Sequence, residues 1–383
     1  MKRVPCLLLC VIFSGILEAA LPGDKPGKVP HKLEWVDCSP MPLGALGAGD
    51  RKDVPDLRAV VFMLLSAENS DSTIGMLENL RLQYAGKVLI AVITPESIAE
   101  AENLRRERKD MRLRLAVDTT RKVTPEYMRG AVMLFPMAFL MDADGMILWR
   151  GEAVDLPEAL SKQVAGKLDV KKQRECDPLI FRMQSDMRDG NMFKTRRSAL
   201  RVLAAEPGNP AAVRMAVFAA EQLKAPGEAW EVVADQLKKS PDSPRLHFTA
   251  LDLTMRHAGL RKHLSEVIDG FAARKFAPEV RCAFADTLLN SFPFDSAAVF
   301  GAKRIIDGTV IPAGGSAMQS AHFLAVRARL RYACGDLDAA EADMGESVQF
   351  FRAAGNRRML EEAEKQLTFY REMLRARERG SRH

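Results

Sequence analysis

Cysteine is scarce in this chain of 383 residues, and the cysteines that are present lie far apart. Two of the six fall within the first ten residues. The others are Cys38, Cys176, Cys282 and Cys334. Their spacing excludes a C-x-x-C redox pair and a compact zinc knuckle. The chain also lacks H-E-x-x-H, and His257 and His263 do not have the spacing of a metal-binding pair on one helical face. We therefore predict neither a metal site nor a cofactor.

A strong excess of one charge is also missing. The chain has 56 basic and 50 acidic residues, a formal net charge of +6 and a pI of about 9.0. A dedicated nucleic-acid-binding protein concentrates basic charge on one face, so we predict no nucleic-acid partner. With 47% apolar residues and a length that suits two or three domains, the chain can bury a large core without disulfides.

Beyond residue 20, no apolar run reaches the roughly 18 residues that a membrane-spanning helix needs. Within the first twenty, two basic residues precede an apolar run from Val4 to Leu17, which is followed by the small residues Ala19 and Ala20. This layout predicts a signal peptide over residues 1–20, and hence a periplasmic or extracellular protein of the cell envelope. An uncleaved segment is the alternative, and it would be the only membrane attachment.

Residues 30–170 alternate between strand-like and helix-like patterns. Unbroken apolar runs of strand length are typical of strands that are buried on both faces of a sheet. The predicted strands are Ala59–Ser66, Val88–Thr94, Leu113–Val117, Met137–Met141 and Met146–Arg150. Residues 97–108 and 156–168 have helical patterns, and the last two strands form a hairpin. This order predicts an α/β domain with a mixed sheet and helices on both faces.

The segment RGAVMLFPMAFLMDADGMILWRGE, Arg129–Glu152, resembles the thioredoxin fold in its periplasmic TlpA-like or redoxin branch. That family has a turn rich in small residues, an apolar pair, a proline, a strand, Asp-x-x-Gly and a second strand. Leu33–Trp35 and Pro40–Leu46 resemble its N-terminal hairpin. The resemblance implies a thioredoxin-like domain over residues 30–170, with Pro136 as the proline that faces the active site in the family.

The chain differs from the family at the residues that carry out the family's redox chemistry. The family places its C-x-x-C after the first core strand, where a helix N-terminus lowers the thiol pKa. The matching loop here is SAENSDST, residues 66–73, which has no cysteine and hence no thiolate for disulfide exchange. The resemblance therefore implies a vestigial groove that binds extended chains without catalysis. Its predicted residues are Ala67, Glu68, Asn69, Ser70, Asp71, Phe135 and Pro136.

Two other interpretations of these residues remain open. The loop contains good N-cap residues, Asn69 to Ser72, and capping of the next helix is its simpler role. Cys38 is either a displaced catalytic thiol or, more simply, a lone partly buried one. A bridge between Cys38 and Cys176 is conceivable in an oxidising compartment.

From residue 189 onward the pattern becomes helical and periodic, after a predicted linker over 171–188. Four prolines recur every 34 residues, which is the period of tetratricopeptide repeats, each a pair of antiparallel helices. They are Pro210, Pro244, Pro278 and Pro312. Ala216, Ala220 and Ala229 suit the close contacts between paired helices.

Ala321–Phe351 resembles the tetratricopeptide family most clearly, with Gly335 at the turn, Leu337 in the packing and Ala340 at the close helix contact. The middle units depart from that pattern, for example at His263. The prediction is therefore a degenerate, tetratricopeptide-like all-α domain over residues 189–383, with a charged last helix as its cap. Aromatic residues such as Trp230, Phe248 and Phe271 fit core positions at least as well as contact positions, so we assign no peptide-contact residue.

The absence of the redox motif favours a secreted or periplasmic, non-catalytic adaptor that binds a protein or peptide partner. The alternative is a thiol-disulfide or peroxide oxidoreductase of the redoxin family that uses a non-standard cysteine, Cys38. A third hypothesis assigns all function to the helical half of the chain.

Overall fold

The computed structural model describes residues 20–25, 33–46, 54–108, 111–128, 136–293, 295–310, 317–355 and 357–380. The chain divides into two compact units, residues 1–215 and 216–383. Except for Ala20, the predicted signal segment lies outside the described residues, as do Phe135 and Pro312.

The first unit contains a six-stranded mixed sheet with the order β1-β4-β3-β2-β5-β6. The central strands β2, β3 and β4 are parallel, and β1, β5 and β6 pair antiparallel with their neighbours. This order, with its terminal antiparallel hairpin, is a thioredoxin-like fold. The strands are β1 (Glu34–Trp35), β2 (Leu57–Phe62), β3 (Val88–Thr94), β4 (Arg114–Val117), β5 (Met137–Met141) and β6 (Ile147–Glu152).

Helices cover both faces of the sheet, as the strand alternation requires. Val61 and Val92 face one cluster of buried side chains, to which α1, α2 and α4 contribute. Val60 and Phe62 face the other, to which α3 contributes. The helices are α1 (Ser70–Gln83), α2 (Ile98–Glu107), α3 (Val123–Met128) and α4 (Leu156–Val164), and a 3-10 turn (Ala153–Asp155) precedes α4.

The predicted strands overlap the observed ones, with shifts of one or two residues at β4 and β6 and the largest difference at the first. The prediction Ala59–Ser66 extends four residues beyond the end of β2 at Phe62. The backbone leaves the sheet there because the amides of Leu65 and Ser66 bind the side chain of Glu96. An apolar pattern reports burial, and burial continues past the last ladder hydrogen bond.

The chain before β2 crosses the sheet near the amino ends of its parallel strands. The Arg58 guanidinium, which is fully buried, donates to the backbone carbonyls of Pro42, Gly44 and Asp142. Gly145 has a φ of +75°, and a Cβ there would lie 2.7 Å from the carbonyl carbon of Gly44. The β5–β6 turn therefore needs glycine both for its backbone conformation and for the close approach of this segment.

The predicted linker, residues 171–188, lies within the helix α5 (Val170–Arg188) of the first unit. This helix is bonded to the sheet, because Arg150 of β6 forms a bidentate ion pair with Asp177 and both side chains are buried. α6 (Met192–Ala205) follows, and α7 (Pro210–Gln222) begins before the boundary between the two units. In α7, Arg214 donates to Asp155 at 2.6 and 3.0 Å.

The second unit is all-helical in its described residues and consists of consecutive helix pairs. Pro244 and Pro278 are the first residues of alternate helices, as Pro210 is in the first unit. At that position the missing N–H costs nothing and the fixed φ suits a helix. The helices are α8 (Pro226–Lys239), α9 (Pro244–Arg256), α10 (Leu264–Ala272), α11 (Pro278–Ser291), α12 (Ser296–Asp307), α13 (Ala317–Ala333), α14 (Leu337–Ala353) and α15 (Arg357–Gly380).

The alanines expected at the close helix contacts are confirmed as buried, whereas Leu337, expected in the packing, is half-buried. Ala216, Ala220, Ala229 and Ala340 are fully buried. Gly335, with a φ of +84°, forms the turn between α13 and α14. The predicted irregularity at His263 coincides with a 3-10 segment (Ala258–His263) before α10, where the imidazole stacks on Trp230 at 4.3 Å.

Candidate functional site

The carboxyl ends of β2, β3 and β4 meet at one edge of the sheet, where a loop follows each strand. Parallel strands always bring these loops together, which is why ligands of open α/β sheets bind there. Ser66, Glu96 and Asp118 lie in the three loops, after β2, β3 and β4 in turn. This edge is the candidate site of the first unit.

Glu96 fixes the loop that follows β2. One carboxylate oxygen accepts hydrogen bonds from the Leu65 amide and, at 3.0 Å, from the Thr94 hydroxyl. The other accepts from the Ser66 amide at 3.2 Å and from the Ser66 hydroxyl. The two amides are consecutive, so the backbone forms a small anion-binding concavity that the protein's own carboxylate fills.

Asp118 fixes the neighbouring loop in the same manner. Its carboxylate is fully buried and accepts from the Thr124 amide at 2.7 Å and the Lys122 amide at 3.2 Å. Its own amide donates to the carbonyl of Thr94 at 2.8 Å, which links it to the loop of Glu96. Two carboxylates thus hold the backbone of this edge in place.

The predicted site residues that the structure describes lie at this edge. Ala67, Glu68 and Asn69 belong to the loop after β2, and Ser70 and Asp71 begin α1. Asp71 pairs with Arg108 at 3.3 Å.

Pro136 comes directly before β5 and approaches the same loop. Met137, the next residue, pairs with Phe62 at the end of β2, and the Pro136 carbonyl accepts from the Ala153 amide at 2.9 Å. The structure therefore places Pro136 beside the loop, whereas Phe135 lies outside the described residues.

The capping role expected for the loop is not performed by its side chains. Asn69 occupies the N-cap position of α1, but its side chain makes no capping hydrogen bond. Its carbonyl instead accepts from the hydroxyls of Ser72 and Thr73, each at 2.9 Å. The loop conformation depends on Glu96, which sequence reasoning missed. The available signal was a carboxylate two residues beyond a buried parallel strand.

The four cysteines of the described residues are free. Cys38 follows β1, the edge strand, and its thiol donates to the carbonyl of Leu115. β1 and β2 are three strand spacings apart, or about 14 Å. Because β1 is antiparallel to β4, the chain from Trp35 to Cys38 also runs away from the candidate edge. The structure therefore does not bring Cys38 to the loop after β2.

In the second unit, Trp230 and Phe271 are buried in the core, as expected, whereas Phe300 is largely exposed. Phe271 stacks on Phe284 with ring centroids 3.8 Å apart, and Phe248 packs edge-on against Phe284 at 5.3 Å. Across the described parts of both units, no three His, Cys, Asp or Glu side chains form a group that could hold a metal ion. Nor is any helix there long and apolar enough to cross a membrane.

Comparison with known proteins finds similar folds. No protein-family model matches the chain, and no curated protein matches it. Among solved structures, an uncharacterized thioredoxin-like protein from Porphyromonas gingivalis is 13% identical, with a TM-score of 0.29, over 38% of this chain and 94% of that chain. A thioredoxin-like protein in the oxidized form is also 13% identical, with a TM-score of 0.30, over 39% and 99%.

A tetratricopeptide repeat protein from Parabacteroides merdae ATCC 43184 is 15% identical, with a TM-score of 0.25, over 51% of this chain and 73% of that chain. At such TM-scores these likenesses carry no argument about activity. The description as a thioredoxin-like domain followed by tetratricopeptide-like helix pairs rests on the strand order and on the positions of the prolines.

Proposed function

We propose that this protein is a non-catalytic adaptor of the cell envelope that binds extended protein segments at the edge formed by the loop after β2 and Pro136. The observation that carries the proposal is that the Glu96 carboxylate accepts hydrogen bonds from the amides of Leu65 and Ser66. We call this contact the Glu96 clamp. The clamp fixes this loop at the place where redox-active members of the fold carry their cysteines. A fixed loop without a thiol suits recognition rather than electron transfer.

The exposure of the loop supports binding. Glu68 and Asn69 are exposed and Ala67 is half-buried, so the rim beside Pro136 is open to water. Extended segments bind such rims through backbone groups and side-chain pockets, which gives weak and reversible contact. The helix pairs of the second unit supply a further surface for a partner, as repeat arrays commonly do.

The envelope location is part of the proposal, and it is supported by the predicted signal peptide over residues 1–20. Cell fractionation with an antibody against the chain tests it. Recovery in the cytoplasm alone would contradict it.

A redox assay separates this proposal from its enzymatic alternative. The purified chain and its Cys38→Ala variant are compared in insulin reduction and in peroxide consumption. We expect no turnover above background from either protein. Robust turnover that Cys38→Ala abolishes would overturn the proposal in favour of an oxidoreductase.

A binding assay tests the site itself. Fluorescence anisotropy measures the affinity of the chain for a panel of labelled, unstructured peptides. Ala67→Arg puts a long charged side chain on the rim and should weaken binding at least tenfold. The matched control is Ala165→Arg, at the exposed end of α4, which should leave affinity unchanged. Equal affinities for both variants would contradict binding at this edge.

A further inference from the structure

Helix α6 has a solvent-exposed face that the fold does not use. Its other face is buried in the first unit through Ala199, Val202 and Leu203. On the exposed side, the Phe193 side chain is 74% exposed and Leu200 is 40% exposed. Two exposed apolar side chains on one helix face, rimmed by charged residues, form the kind of patch through which a protein contacts a partner or a membrane.

Three cations flank these apolar side chains. Lys194, Arg197 and Arg201 are exposed and extend from the same helix, between and beside Phe193 and Leu200. In the described part of the chain, no carboxylate forms an ion pair with any of the three. We define the basic face of α6 as these five residues. Its charge is not neutralised within the protein, so it attracts anions.

The basic face lies outside two clefts of the first unit. One cleft of the first unit is lined by residues such as Trp149 and Gln173, and another by residues such as Asp56 and Gln163, and neither includes a residue of α6. A protruding aromatic ring among cations matches a soft, flat, anionic surface. The ring enters the boundary between headgroups and acyl chains, and the cations remain at the level of the phosphates.

From this combination we propose that the basic face of α6 docks on an anionic lipid bilayer. The docking is peripheral and reversible, because a single aromatic ring and three cations are far less than a spanning segment requires. It would hold the first unit at a membrane surface whether or not the signal peptide is cleaved. It is also independent of peptide binding at the edge after β2.

Co-sedimentation with vesicles tests the proposal. The probes are phosphatidylcholine vesicles with and without phosphatidylglycerol, at low and at physiological ionic strength. The purified chain and its variants share one N-terminus, so differences between them report on the substituted residues alone. We expect binding that requires phosphatidylglycerol and weakens with salt.

Two variants locate the contact. The triple substitution Lys194→Gln, Arg197→Gln and Arg201→Gln should weaken binding to the anionic vesicles roughly 100-fold. Phe193→Ala should weaken it about tenfold, since most of the ring is exposed in the free protein. The matched control carries Lys87→Gln, Lys167→Gln and Lys238→Gln, which remove three other exposed cations for the same change in net charge. It should bind as the unaltered chain does.

The alternatives give different results. Equal binding to both kinds of vesicle would overturn the proposal, and so would equal losses in the triple variant and its control. A third arm uses soluble polyglutamate. If the triple variant loses polyglutamate binding while Phe193→Ala leaves vesicle binding unchanged, the face recognises an acidic macromolecule, and the bilayer proposal is wrong.

Discussion

In the sheet unit, single charged side chains hold backbone segments that are distant in sequence. Arg58 binds the carbonyls of Pro42 and Asp142, which lie 16 and 84 residues away. Glu96 binds the Ser66 amide, 30 residues away. Each of these contacts depends on one side chain that joins segments distant in sequence.

In the helix pairs, the same kind of contact recurs from one unit to the next. A proline begins α9 and again α11, and a buried alanine lies at the close helix contacts. The free energy of such an array is approximately a sum over repeats and the interfaces between them. Removing one long-range contact should therefore be costly in the sheet, whereas removing one periodic feature should be mild in the array.

Arg58→Met should give the largest effect. The substitution keeps the apolar stem but leaves three partly buried carbonyls without the buried guanidinium that donates to them, at a cost of roughly 3–5 kcal/mol. Chemical denaturation of the full chain, followed by circular dichroism, measures it. Arg114→Met is the matched control, because Arg114 donates to two carbonyls from a less buried position. Equal losses in the free energy of unfolding for the two variants would contradict a special role for Arg58.

Glu96→Gln should cost less, about 1–3 kcal/mol, and its effect should be local. Gln has the same shape, but it loses the charge and presents an NH₂ group to donors that need an acceptor. Hydrogen exchange should speed up at the amides of Leu65 and Ser66 before the rest of the sheet. Glu68→Gln, in the same loop, is the control and should change neither. Unchanged protection in Glu96→Gln would show that the clamp does not fix the loop.

The strands could be predicted from the sequence, whereas the contacts of Glu96 could not. The runs at Val88–Thr94 and Met137–Met141 predict their strands because burial on both faces leaves a local apolar pattern. The proline period predicts repeated helix pairs because it too is a pattern visible in the sequence. The role of Glu96 depends on a neighbouring loop 30 residues earlier in the chain, and no local pattern encodes such a pairing.

The predicted linker illustrates the same limit. The linker over residues 171–188 is predicted from the change of pattern between the α/β half and the helical half of the chain. Much of its charge faces solvent from the helix, but Asp177 is bound to Arg150 of β6, and Gln173 donates to Glu206 at 2.8 Å. A charged residue counts the same in the composition whether its side chain is buried in an ion pair or exposed to water. Composition alone therefore could not distinguish the two.

In the array, a third prediction concerns pH. Burial lowers the pKa of His247 below its usual value, an effect that its hydrogen bond to the Pro241 carbonyl opposes and nearby Arg274 reinforces. The unfolded chain, with a histidine pKa of about 6.5, then binds more protons. Stability should therefore fall as the pH drops below about 6.5 towards the pKa of the folded state.

His247→Gln should remove this share of the pH dependence. Denaturation curves above and below pH 6.5, a value taken as roughly that of free histidine, measure the difference. Burial also lowers the pKa of His322, so a smaller pH dependence of the free energy of unfolding should remain. His263→Gln, at a partly exposed position, is the control. If the free energy of unfolding of His247→Gln changes with pH as steeply as that of the unaltered chain, His247 does not titrate in this range.

Pro244→Ala should have the smallest effect, a loss of about 0.4–1 kcal/mol. At the first position of α9 the ring suits the helix start and restricts the unfolded chain. Pro278→Ala, one period later at the start of α11, should cost the same within a few tenths of a kcal/mol, because the two positions are equivalent. Denaturation midpoints of both variants test this equivalence. A loss of several kcal/mol at only one of them would mean that this proline makes a unique contact, and the distinction between the array and the sheet would then fail at that helix.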